Sequence, residues 1–91
     1  MKKLQFTKQA LTFLDQLDAK QYRQIGKAIF KLIGDSEPAD SQQLKGATRG
    51  ERRLDVGEYR IIYAATDVEV EIFVIGKRND DEVYRIWQRM K

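Results

Sequence analysis

At 91 residues, with 42% hydrophobic residues and a single proline, the chain has the length of one small globular domain, which buries only about 60 to 65% of its unfolded surface. It contains neither cysteine nor histidine, which excludes disulfides, thiolate chemistry and imidazole acid–base catalysis. No metal or other cofactor is expected, and any catalysis falls to Lys, Arg, Tyr, Asp or Glu. The net charge of +3 fits a nucleic-acid or acidic-protein partner, while the lack of a long apolar run or signal-peptide core argues against a membrane and makes the cytoplasm the expected location.

Leu4 and Phe6 alternate with Lys3 and Gln5, the pattern of a short strand with one buried face. Thr7 can cap a helix whose apolar stripe is Ala10, Phe13, Leu14 and Leu17. Asp18 and Gln21 have capping-box spacing, so a second helix follows almost without a loop. Tyr22, Ile25, Ile29, Leu32 and Ile33 line one side of it, and Lys20, Arg23, Lys27 and Lys31 line the other. That cationic back reads either as a solvated face or as a nucleic-acid contact. Residues 34 to 50 lack periodicity and break around Pro38 and at Gly46, so they read as a loop, with Leu44 an anchor and Lys45 the cation nearest the segment that follows.

That segment, Arg52 to Tyr63, is the most informative part of the chain. Apolar and polar residues alternate on both sides of Gly57-Glu58, which predicts a tight hairpin with glycine first in the turn. With Val56 opposite Tyr59, the side chains of Leu54, Val56, Tyr59 and Ile61 share one face, and Arg53, Asp55, Arg60 and Ile62 share the other. Two guanidinium groups fixed on one sheet face are a way to hold phosphate, although Arg60 can equally pair with Asp55 directly across the hairpin.

A turn at Thr66-Asp67 would pair Ala65 with Val68, placing Val68, Val70, Ile72 and Val74 on the face of Ile61 and Tyr63, where the helical hairpin can cover them. Arg60 then lies beside Phe73, which reads as a packed aromatic or as a stacking surface for a base. Asn79 is placed to cap a last helix, with Asp80, Asp81 and Glu82 in its first turn and Val83, Ile86, Trp87 and Met90 as its buried stripe. Tyr84 sits about a quarter turn off that stripe, so its ring can pack while its hydroxyl stays free. The expected fold is α+β in the order β-α-α-β-β-β-α, one domain over residues 1–91, with the helical hairpin packed on a small, mainly antiparallel twisted sheet.

The hairpin GEYRIIY, the strand end IFVIGKR and the helix EVYRIW, in this order and spacing, resemble the RelE/ParE toxin superfamily over essentially the whole chain. The resemblance implies a RelE-like microbial RNase/toxin fold and a bacterial type II toxin held inactive by a cognate antitoxin. RelE-like members are ribosome-dependent mRNA endonucleases that cut translated message in the A site, whereas ParE-like members inhibit DNA gyrase without cutting RNA. The RelE-like catalytic arginines and tyrosine fall on Arg60, Arg78 and Tyr84. The pattern's two strand lysines are replaced by Glu51 and Arg53, and a basic residue common before the turn is here Asp55.

The reaction so implied is attack of a ribose 2′-hydroxyl on the adjacent phosphate. It needs a proton acceptor, cations around the phosphorus centre and a proton for the departing 5′ oxygen. Arg60 and Arg53 can clamp the phosphate while Arg78 approaches from the strand end; Tyr84 can orient the 2′-hydroxyl, stack on a base or take part in proton transfer. Glu51 and Lys45 are the candidate bases, and Lys77, Phe73 and the helix cations Lys20, Arg23, Lys27 and Lys31 are candidate RNA contacts. Two rival readings stand beside the nuclease: a non-catalytic gyrase inhibitor, and an RNA-binding domain without toxicity.

Overall fold

The computed structural model describes residues 1–79 and 81–90. Strand β1 (Lys3–Phe6) leads into helices α1 (Lys8–Asp15) and α2 (Ala19–Gly34), followed by strands β2 (Ser41–Gln43), β3 (Arg52–Val56), β4 (Tyr59–Ala65) and β5 (Glu69–Lys77), then helix α3 (Glu82–Met90). The caps form as the spacing predicts: the Ala10 N–H donates to Thr7 Oγ1 at 3.2 Å and the Gln21 N–H to Asp18 Oδ1 at 2.9 Å. Each satisfies one of the N–H groups that a helix start leaves without a partner.

Among the described residues the strands form one five-stranded sheet in the order β1-β5-β4-β3-β2, with β1 parallel to β5 and the other pairs antiparallel. The β3–β4 register is the one the alternation predicts, Val56 opposite Tyr59 and Asp55 opposite Arg60. At the turn, φ is positive at Gly57 (58°) and not at Glu58, the pattern of a type II′ hairpin, whose twist matches that of the flanking strands. On one face, Leu54, Tyr59 and Ile61 join Ala10, Leu14, Ile25, Ile29 and Leu32 of the helical hairpin in the main core. The side chain of Gln9 fastens the two layers. It donates to the Ile75 carbonyl at 2.9 Å and accepts the Ile75 N–H at 3.0 Å, extending the β5 hydrogen-bond ladder beyond the end of β1.

Four local expectations need correction, the first being Met90, expected in the buried stripe of the last helix but 40% exposed near its end. The segment 34 to 50 is not a loop throughout, because Ser41–Gln43 pairs with Arg52–Leu54 as an edge strand. It is held there by Arg52, whose Nε donates to Ser41 Oγ at 3.0 Å, and three residues are too short a run to show a period.

The β4–β5 register is also shifted. Ala65 faces Val70 rather than Val68, which is 68% exposed, and a bulge lies where Tyr63 faces Ile72 but Ile62 faces Val74. The extra residue, Phe73, sends both itself and Val74 to the reverse face and returns Ile75 to the hairpin side. The reverse face is therefore not left to the arginines alone. Leu44, Ile62, Phe73, Val74, Val83 and Trp87 make a second core beneath α3.

Finally, α3 begins at Glu82, with the Asp81 carbonyl accepting the Arg85 N–H, so Asn79 lies three residues ahead of the helix and does not cap it. Asp80, expected in its first turn, lies outside the described residues.

The turn geometry generates a paired test. A Cβ at Gly57 would occupy the left-handed region and come within 2.8 Å of Gln24 Nε2, so Gly57→Ala is expected to lower stability by roughly 1–2 kcal/mol. A Cβ at Gly26, mid-helix in α2, meets nothing within 4 Å, and Gly26→Ala is expected to raise stability by about 0.5–1 kcal/mol. Urea titration of both variants checks the pair, and a neutral Gly57→Ala would contradict the assigned turn.

Candidate active site

The reverse face of the β3–β4 hairpin and the start of α3 bring three groups to one point. Arg53 Nη1 donates to the Tyr84 hydroxyl at 2.7 Å and Arg60 Nη1 donates to the same oxygen at 2.9 Å. Arg60 also lies over the Tyr84 ring, its Cζ 5.4 Å from the centroid. A phenol oxygen has two lone pairs, so both are taken by guanidinium donors, and among the described residues its hydrogen meets no acceptor. With both lone pairs engaged, the hydroxyl has its hydrogen left to donate.

Local structure explains how α3 reaches so far in. Gly76, on β5 opposite Arg60, stands where a Cβ would be 2.7 Å from Val83 Cγ2, so only glycine lets the first turn of α3 lie this close to the sheet. Tyr84 follows Val83 and projects over the hairpin. Arg53 is steadied from its other side by Gln42 on β2, whose Oε1 accepts Nη2 at 2.7 Å. Sequence reasoning missed both Gln42 and the role of Gly76: Gln42 because β2 had no periodic signal, Gly76 because a strand glycine does not say what approaches it.

Asp55 completes the cluster. Arg60 grips it through two atoms, Nε to Oδ1 at 2.6 Å and Nη2 to Oδ2 at 3.1 Å, and Arg78 Nη1 lies 3.8 Å from Oδ2. The hydrogen bond from Arg60 chiefly, with the fields of Arg60, Arg53 and Arg78, outweighs partial burial and holds the Asp55 carboxyl below the usual range. Arg60 is 13% exposed, Asp55 33% and Arg78 53%, so the cluster grades from a packed base to a solvent-facing rim. Arg53, Arg60, Arg78 and Tyr84, read from the sequence as one constellation, are thus brought together, and the Asp55–Arg60 pair forms as well.

Other candidates do not join them. Glu51 is 1% exposed and its Oε1 accepts the N–H groups of Thr48 (3.1 Å) and Arg49 (2.7 Å), which folds the 48–51 turn onto β3. Burial pushes its carboxyl up, but the Arg49 N–H, its own backbone, the Trp87 side chain and the Thr48 N–H together hold it below the usual range. A buried carboxylate with its oxygen so engaged is a structural anchor and not a base for a ribose. Lys45 is exposed in the turn after β2.

Phe73, 5% exposed, is core and offers no free ring to a base, because the Arg49 guanidinium lies 4.9 Å above its centroid. Lys77 pairs with Tyr59 and so leaves from the opposite face of the sheet to Arg60. Lys20, Arg23, Lys27 and Lys31 are also on that opposite side, where they line an open groove of about 870 Å³ between α2 and β3, floored by Leu32, Leu54 and Val56. The two cationic surfaces meet at Asp55, which pairs with Arg60 and also lines this groove.

With this geometry in view, comparisons with known proteins are informative. A family model described as "ParE toxin of type II toxin-antitoxin system, parDE" matches residues 4–82. Among solved structures, the RelE of the archaeal RelE–RelB complex from Pyrococcus horikoshii OT3 superposes with a TM-score of 0.75 at 24% identity, over 86% of this chain and 96% of that one. The isolated E. coli RelE toxin gives 0.74 at 22% identity over the whole of both chains, and the Staphylococcus aureus YoeB dimer gives 0.69 at 19% over 87% of this chain and 98% of that one. At these identities the likeness is one of fold. No curated relative matches the chain.

The two depressed carboxyls generate a pH prediction. A carboxyl with a lowered folded pKa contributes stability that is complete above its unfolded value, about 4, and is lost as pH falls through the folded value. Wild-type stability in urea is expected to decline below about pH 4. Glu51→Gln should lower stability at neutral pH by about 1–3 kcal/mol, since the new amide leaves one buried donor unpaired, and should shrink the acid-side decline. A variant as stable as wild type, with the same acid limb, would contradict the anchoring role.

Proposed function

The chain belongs to the ParE toxin family of type II toxin–antitoxin systems, within the RelE/ParE superfamily, and from that premise we propose that it is a ribosome-dependent endoribonuclease that cuts translated mRNA in the A site. The observation that carries the reading is the convergence of Arg53, Arg60 and Arg78 with a phenol whose oxygen is already saturated by two of them. A gyrase-binding surface has no need of this arrangement, whereas a pentavalent phosphorus centre does.

In the proposed reaction the RNA phosphate lies over Arg60 and Arg78, the guanidinium groups meeting its non-bridging oxygens as negative charge accumulates there. The 2′-hydroxyl oxygen bonds to phosphorus as its proton passes to solvent water, and the bond to the 5′ oxygen breaks. Tyr84, its lone pairs occupied, offers its hydrogen toward the non-bridging or departing oxygen. Arg53 holds Tyr84 and adds charge without touching the reacting atoms. With Glu51 committed to the turn, the chain is strong in charge stabilisation and weak in proton acceptance, so alignment of the 2′-hydroxyl must come largely from RNA held bent by the ribosome. Just as RelE of P. horikoshii is found in complex with RelB, this chain is held by a cognate antitoxin, a partner that lays an amphipathic or acidic segment over arginine-lined surface.

A second reading, inhibition of DNA gyrase, is favoured by one observation: the matching family model is that of ParE itself. The two part in a single experiment. On induction of the chain alone, message ends mapped in a translating extract are expected to show new cuts within codons, with plasmid supercoiling unaffected at the same time point. Arg60→Ala, Arg78→Ala and Tyr84→Phe should each reduce cutting, Arg60→Ala by roughly 10²-fold or more on the scale of losing one preorganised donor to a developing anion. Loss of supercoiling with intact messages, or cutting unchanged in all three variants, would remove the nuclease reading.

A further inference from the structure

We infer that Asp55 is an internal anion occupying the phosphate seat of the arginine cluster, so that an RNA phosphate binds by displacing a carboxylate the protein supplies itself. The inference rests on the nuclease reading for the identity of the incoming anion, but the competition is a property of the cluster alone.

Three features point to it. Asp55 takes the Nε/Nη2 edge of Arg60 through both of its oxygens, at 2.6 and 3.1 Å, which is the bidentate geometry a phosphate uses on the same edge. Its Oδ2 simultaneously lies 3.8 Å from Arg78 Nη1, so a single carboxylate bridges the two cations that a phosphodiester would bridge. Arg53 adds its field to the same group. The carboxylate therefore sits at the focus of the positive potential rather than at its margin.

Exchange is physically accessible. Asp55 is 33% exposed and Arg78 53%, so water and ligand reach the pair from the open side, while Arg60, 13% exposed, stays fixed by Tyr84 when the carboxylate swings out. Position on the hairpin also limits Asp55 to this role. Directly opposite Arg60 in the register, it stays beside the cluster after displacement, and in the free protein the same arginines hold its carboxyl low. The functional consequence is self-restraint. Free RNA meets a cluster already neutralised in part, and only RNA presented at high local concentration and in the right bend displaces the carboxylate.

The test uses the full chain and a short fluorescein-labelled RNA carrying 2′-O-methyl groups, which cannot be cleaved. Asp55→Asn, which keeps an oxygen for Arg60 but removes the charge, is expected to tighten binding by roughly three- to tenfold. The slope of log affinity against log salt should steepen by about 0.7 for each guanidinium released to the backbone. Asp67→Asn, in the turn at the other end of the β4–β5 hairpin, removes the same charge without touching the cluster and should change affinity by less than about twofold. Unchanged or weaker binding by Asp55→Asn overturns the inference.

Should that variant fold poorly, the wild type gives the same answer by carbon-13 titration of the Asp55 carboxyl. Bound RNA should move it up toward the ordinary aspartate range as its arginines are taken, and a carboxyl that stays low with RNA bound overturns the idea. Cleavage assays in a translating extract separate this from the nuclease reading. Tighter binding by Asp55→Asn with no cutting even by wild type leaves the displaced anion standing and removes the nuclease. Cutting by wild type with no change of binding in the variant does the reverse.

Discussion

The register of the β3–β4 hairpin is the constraint from which the rest of the molecule follows. A strand pair closed by two residues cannot slide, because a one-residue slip would carry Leu54 and Ile61 to the reverse face and drive Arg53 and Arg60 into the helical hairpin. Ile61 is fully buried, and the free energy of that burial is what holds the arginines in place on the other side. The cluster thus inherits its precision from a core it does not touch. Gly57 makes the turn possible, and the packing of α1 and α2 makes any other register too costly.

Placing three guanidinium groups together creates a problem of its own, since like charges repel and Arg60 is mostly removed from water. Asp55 and Tyr84 resolve it in different ways. The carboxylate compensates charge directly, and the phenol oxygen accepts one donor from each of Arg53 and Arg60. Charge compensation and hydrogen-bond satisfaction within the cluster therefore draw on the same few side chains.

The second cationic surface, along α2, has a different character. Its charges stand at the rim of an open groove with an apolar floor, whose lining also includes Asp55, the partner of Arg60. Charge counted along the sequence merges the two surfaces into one basic protein. The structure instead resolves an arginine cluster and a lysine-rimmed groove that share one side chain, Asp55.

The sequence by itself determined what is local. The helix caps at Thr7 and Asp18, the hairpin about Gly57, the sharing of faces within it and the Asp55–Arg60 pair all follow from side chains within a few residues of each other, where period and turn chemistry leave little freedom. Family resemblance added Arg78 and Tyr84 to the same patch. Tertiary structure alone decided the rest. One extra residue at Phe73 reversed the alternation along β5, which no period-two reading survives. The strand Ser41–Gln43 exists because Arg52 and β3 hold it, so Gln42 reached Arg53 unannounced. Glu51 became a buried anchor because the Thr48 and Arg49 N–H groups close on it beneath Trp87, and Gly76 mattered only once Val83 approached it. Charge type and spacing are written in the chain, but burial and approach depend on segments that meet only after folding, and they decide which charged residues gather in the open cluster and which are buried as anchors.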